Sequence, residues 1–249
     1  MPSTTVRIPT ADGSCDAFVA YPDGGGAYPA ILLYMDIFGV RPVLQEIAEQ
    51  LAADGYYVLV PNVFYRHGAA PIVQLPDFID ADSRAAAVGQ LMPMLAGYGA
   101  DEMVRDGNAF VDFLTSRPQV RPGPIGIVGY CMGAVLAMRT AAACPDQVAA
   151  VGGFHPGRLV TDADDSPHRS MSQVRAAVYL AFADGDISAE NQAVLADALD
   201  AAGVQYTLET YAGTHHGYTM SDTSAFNADA RQRHWDALRE LFRSALTDA

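Results

Sequence analysis

The chain is predicted to fold as an α/β domain, with a mostly parallel sheet covered by helices on both faces. Three observations in its 249 residues carry this. Short, wholly apolar runs of buried-strand length alternate with longer segments whose apolar residues recur at helical spacing. No repeat, linker or low-complexity stretch divides the chain, so one domain is expected over 1–249. The polar residues that stand out chemically fall just after predicted strands, where such sheets bind ligands.

The elements follow in order. Residues 6–8 and 16–20 flank a turn at Ala11-Asp12-Gly13-Ser14 and read as an antiparallel hairpin. Asp23-Gly24-Gly25-Gly26 is a flexible connector. Residues 30–35 form a buried strand that runs into Asp36-Ile37-Phe38-Gly39. Pro42 suits the first turn of a helix; Val43, Ile47 and Leu51 line one face and Gly55 stops it. Residues 56–60 are the next strand, 61–76 a loop, and 80–95 and 101–116 two helices. A strand over 125–129 precedes a helix beginning near Ala134. A strand over 148–151 then releases Gly152-Gly153-Phe154-His155-Pro156-Gly157 from its C-terminal end, and 162–168 is polar loop. Strands over 177–181 and 205–210 enclose a helix over 189–199, with Gly203 as its C-terminal stop. The last helix carries Trp235, Leu238, Leu241 and Phe242 on one face.

Composition narrows the function. With 15 basic and 29 acidic residues the formal net charge is −14, and such a surface repels phosphate backbones, so nucleic acid is not an expected partner. No segment has the basic-then-apolar pattern of an export signal, and no apolar run approaches the ~20 residues that span a bilayer. Three cysteines, Cys15, Cys131 and Cys144, are too few and too odd in number for a disulfide framework. Free thiols, a reducing compartment and a cytoplasmic location are therefore expected. No C-x-x-C pair supports zinc, and no metal or cofactor is expected. A monomer is the working expectation, with a dimer as the alternative.

Gly129-Tyr130-Cys131-Met132-Gly133 is the most informative stretch. Strand, sharp turn and helix are the context of the G-x-nucleophile-x-G elbow of α/β-hydrolases, here with cysteine in place of serine. At the start of a helix the dipole favours thiolate over thiol. A thiol nucleophile needs a base, and the base an orienting acid. In the hydrolase order, Asp184 and Asp186 follow the next-to-last strand, and His215 and His216 follow the last. His216 is favoured over His215 because His216-Gly217-Tyr218 makes a His-Gly-aromatic turn. Asp186 is favoured over Asp184 because it lies further into its loop; helix capping is its ordinary alternative. Asp36, just after the 30–35 strand, is read either as a partner of the Cys131 thiol or as an N-cap or turn residue for the helix near Pro42. The N–H groups of Ile37 and Met132 are candidates for an oxyanion hole.

Asp36-Ile37-Phe38-Gly39-Val40, Gly129-Tyr130-Cys131-Met132-Gly133 and Tyr211-Ala212-Gly213-Thr214-His215-His216-Gly217-Tyr218 resemble the three signatures of the dienelactone hydrolase family, over essentially the whole chain. The resemblance implies an eight-stranded α/β-hydrolase domain and metal-free hydrolysis of a small lactone or ester. It also implies a triad on Cys131, Asp186 and His216. The family has glutamate where Asp36 stands, and that carboxylate holds the resting thiol until substrate arrives. The family also places a carboxylate-binding arginine four residues after the histidine, where this chain has Met220. A second such arginine precedes the nucleophile, with Arg84 or Arg66 as candidates. Phe38, Tyr130, His155 and Tyr218 are further candidates for the pocket wall, core packing being the ordinary alternative. A ligand-binding or redox-sensing protein without turnover is the competing function.

Overall fold

Wholly apolar runs become the centre of the sheet. In the computed structural model, which describes residues 2–246, the strands are β1 (Ser3–Thr10), β2 (Gly13–Ala20), β3 (Ala30–Tyr34), β4 (Tyr57–Pro61), β5 (Ile125–Tyr130), β6 (Val148–Phe154), β7 (Ala177–Ala183) and β8 (Tyr206–Tyr211). The helices are α1 (Pro42–Ala53), α2 (Ala81–Ala96), α3 (Ala100–Thr115), α4 (Met132–Ala143), α5 (Ala189–Ala202) and α6 (Ala228–Leu246). Residues 1 and 247–249 of the expected 1–249 span lie outside the described residues.

One eight-stranded sheet has the order β1-β2-β4-β3-β5-β6-β7-β8. The β1–β2 and β2–β4 pairings are antiparallel and every other pairing is parallel. Every residue of β3, β4 and β5 is buried, as strands covered on both faces must be. The α/β-hydrolase fold predicted from the sequence is therefore the fold observed. Among the described residues, no helix is long and apolar enough to cross a membrane.

One boundary differs in an instructive way. β6 was expected to end at Val151 but continues through Gly152 and Gly153 to Phe154. Successive strand residues face opposite sides. A Cβ on Gly152 would sit 2.9 Å from Leu238 of α6, and one on Gly153 would sit 2.5 Å from Leu180 and 3.1 Å from Ala134 of α4. The glycines are there for close helix packing on both faces, and they extend the strand rather than release it.

Candidate active site

The sharp turn after β5 is built on contacts that permit no side chain. Cys131 has φ 56° and ψ −117°, a left-handed-side conformation that non-glycine residues avoid. A Cβ on Gly129 would meet the Gly133 carbonyl oxygen at 2.1 Å, and one on Gly133 would meet the Met35 and Tyr34 carbonyl oxygens at 2.5 and 2.6 Å. The strained residue is tied on both sides: its N–H donates to the Phe154 carbonyl (3.1 Å), and its carbonyl accepts from Gly157 (3.3 Å) and Ala134 (3.2 Å). Met132 opens α4, so its amide has no acceptor within the helix.

Two loops bring an acid and a base to this turn. After β7, Asp186 accepts from the Ala183 amide through Oδ2 (2.9 Å) and meets His216 Nδ1 through Oδ1 (2.8 Å). It is free to do so because Ser188, not Asp186, caps α5 by accepting from Asn191. Asp184 does different work: its carboxylate accepts from the Gly213 amide (2.8 Å) and fastens the histidine loop. His215 is exposed, whereas His216 is half-buried. Burial works against a charged His216, but its hydrogen bonds to Asp186 and Cys131 and their charges outweigh it, pushing its pKa from 6.5 up to about 10.

Cys131 and His216 line one cleft with Asp36, Ile37, Phe38, Arg84, His155 and Met220. His155 has φ 39° and is fully buried. Its Nε2 shares a hydrogen bond with Thr219 Oγ1 (2.7 Å), and its ring stands edge-on to His216, centroids 5.2 Å apart. Burial, and then the neighbouring His216, hold its pKa well below the usual value, so His155 is a neutral imidazole. Arg84 reaches the cleft from α2 and stacks over Phe38 at 5.6 Å. Its guanidinium has no ion-pair partner among the described residues.

Four expectations are corrected. Asp36 does not hold the Cys131 thiol. Its Oδ1 accepts from Arg41 Nη1 (2.6 Å) and the Phe38 amide (3.0 Å), and its Oδ2 from Arg41 Nη2 (3.0 Å). A guanidinium fork matches a carboxylate better than a thiol does. Asp36 does not cap α1, whose N-cap is Arg41, but it is the turn residue of the alternative reading, its Oδ1 accepting from the amide two residues on. Arg66 lies outside the cleft and forks between Asp12 (2.6 Å) and the buried Asp106 (2.7 Å). Tyr130 is core: its hydroxyl meets His234 Nε2 at 2.9 Å. Tyr218 is core as well, its hydroxyl donating to the Ala181 carbonyl at 3.1 Å.

Sequence reading missed Arg41, Asp222 and Thr219. Arg41 also bonds Asp222 through Nε (2.6 Å) and Nη2 (3.2 Å), so it joins the loop after β3 to the loop after His216. A charged residue before a helix-starting proline ordinarily faces water, and only the fold reveals that Arg41 is buried. Among the described residues, no cluster of His, Cys, Asp or Glu is arranged to hold a metal ion.

Comparisons with known proteins agree with this architecture. The sequence profile of the dienelactone hydrolase family matches residues 15–246. A relative from Synechocystis sp., provisionally named a carboxymethylenebutenolidase, is 23% identical over 251 residues, covering 98% of this chain and 97% of its own. A carboxymethylenebutenolidase from Pseudomonas sp. is 34% identical over 117 residues, 47% of this chain and 46% of its own. Among solved structures, a dienelactone hydrolase-like promiscuous phosphotriesterase from metagenomic libraries superposes with TM-score 0.79 at 21% identity, covering 99% of this chain and 100% of that one. The dienelactone hydrolase of Anabaena variabilis superposes with TM-score 0.64 at 18% identity over 98% of both chains.

Proposed function

The chain belongs to the dienelactone hydrolase family, and from that premise we propose that it hydrolyses small lactones or activated esters with Cys131 as nucleophile. The observation that carries the reading is the 2.8 Å contact of Asp186 with His216 Nδ1, which leaves Nε2 for the thiol in the same cleft.

In this reading Cys131 gives its proton to His216 and its sulfur attacks the carbonyl carbon. The negative charge that develops on the carbonyl oxygen is met by the N–H groups of Ile37 and Met132. The tetrahedral adduct collapses as the bond to the leaving oxygen breaks, and His216 returns its proton to that oxygen. A thioester remains. His216 then takes a proton from water, hydroxide adds to the thioester, and the acid departs as Cys131 regains its proton. Asp186 holds the ring in the tautomer that these transfers need.

Chemistry and shape narrow the substrate. A thiolate leaves the tetrahedral adduct more easily than an alkoxide does, so enol esters, nitrophenyl esters and strained lactones are favoured over alkyl esters and amides. Arg84, with no ion-pair partner, fits a carboxylate on the substrate, while buried Met220 offers an apolar wall where the family has a second cation. On the other side of Phe38 lies a separate pocket of about 500 Å³, lined by residues including Val43, Val73 and Leu75.

The test is turnover of a nitrophenyl ester panel. Cys131→Ala and His216→Ala are expected to abolish hydrolysis while retaining the circular dichroism of the parent. Full turnover by Cys131→Ala would sink the mechanism.

A further inference from the structure

We propose that Arg41 withholds Asp36 from the nucleophile, so that the resting Cys131 thiol exchanges its proton with His216 alone and needs no substrate to free it. The inference rests on the reading of Cys131 as nucleophile and His216 as base.

The geometry leaves Asp36 little to offer. Both of its oxygens accept from the Arg41 fork, and one also accepts the Phe38 amide. Asp36 and Arg41 are 4% and 7% exposed, so separating them would leave two nearly buried charges unpaired. The remaining guanidinium face is taken by Asp222. For Asp36 to swing to the thiol, a buried cation would lose one of its two carboxylates and a buried anion would lose its cation. The shorter aspartate and the adjacent arginine together make a fixed strut out of a position where the family carries a movable carboxylate.

The other charged or titratable groups around the thiol are few. Asp186 is engaged with His216, His155 is bonded to Thr219, and Arg84 enters from α2. Of these, His216 alone is placed to take the thiol proton. Its raised pKa agrees with a proton that rests on the imidazole, although the proposal stands on the ion-pair geometry.

The experiment reads the thiol directly, without substrate. The rate of Cys131 alkylation by iodoacetamide is measured from pH 5 to 10, with Cys131→Ser subtracting reaction at the buried Cys15 and Cys144. Asp36→Asn is expected to leave the profile within about two-fold of the parent. Arg41→Met frees the Asp36 carboxylate and is expected to slow alkylation near pH 7 by about ten-fold. Arg41→Met with Asp36→Asn should restore the parental rate, which a merely misfolded Arg41 variant could not do. An Asp36→Asn profile displaced ten-fold, an Arg41→Met rate equal to the parent, or a double variant that stays slow would each overturn the proposal. Turnover by Cys131→Ala would instead remove the hydrolase reading beneath it, so the two failures are distinguishable.

Discussion

Gly133→Ala should damage both stability and turnover, and the structure says by how much. The added Cβ would meet two backbone oxygens, of Met35 and Tyr34, at 2.5 and 2.6 Å. Ordinary contact begins near 3.4 Å, so α4 and the end of β3 must separate by about 0.9 Å. Backbone cannot rotate out of the way as a side chain can. Overpacking of this kind costs about 1–3 kcal/mol, and at this chain length each kcal/mol lowers Tm by about 2–4 °C. A fall in Tm of about 2–12 °C is therefore expected by circular dichroism. The same displacement moves Met132 N–H and Cys131 relative to Ile37, and about 1 Å of misplacement costs about 100-fold in rate. Gly157→Ala is the matched control. Gly157 also touches the turn, donating to the Cys131 carbonyl, yet an added Cβ would meet nothing within 4 Å. It should melt and turn over like the parent. If Gly133→Ala does the same, or if Gly157→Ala is equally damaging, the steric account of the turn is wrong.

Three further outcomes follow from other parts of the molecule. His216, with its pKa raised from 6.5 to about 10, contributes stability that is fully present below about pH 6.5 and is lost as pH rises through about 10. Asp186→Asn should lower the His216 NMR titration midpoint, flatten that pH dependence and cut kcat/KM by about 10²–10⁴-fold; an unmoved midpoint would refute the pairing. Arg84→Gln should cost at least about ten-fold in kcat/KM on an ester that carries a carboxylate, the worth of a charged hydrogen bond, and leave neutral esters unchanged. Equal losses on both substrates would show that Arg84 is not an anion clamp. Arg66→Met should lower stability by about 3 kcal/mol in a urea melt, because Asp106 loses its cation in the core, with kcat/KM intact. A kinetic defect without a stability defect would return Arg66 to the substrate.

The sequence carried the sheet because each central strand is an unbroken apolar run, which has no other use in a chain of this composition. It carried the turn because Gly129 and Gly133 flank a reactive atom at fixed spacing, and steric exclusion at both positions leaves a local signature. Chain order, loop position and the His216-Gly217-Tyr218 turn together singled out Asp186 and His216, the pair that lies 2.8 Å apart. Arg41 and Asp222 were out of reach, because 181 residues separate them and nothing local marks a surface arginine from a buried one. Asp36 was misassigned for the same reason. The residue that occupies it is five positions away, and only the fold turns that residue inward. Tyr130 and Tyr218 look alike in sequence whether they line a cleft or fill a core, and the sheet decides for the core.

The sheet order also dictates a timetable. Cys131 directly follows the fifth of eight strands, whereas His216 follows the eighth. Roughly 85 residues of chain lie between Cys131 and His216. At a synthesis rate of about 5–20 residues per second, a nascent chain spends about 4–17 s with Cys131 made and His216 still unmade. During that interval the sheet has an unpaired edge, first β5, then β6 and then β7, until β8 joins it. The newborn chain thus exposes a strand edge while His216 is still missing, and the completed sheet and the Asp186–His216 pair arrive together with the C-terminal third.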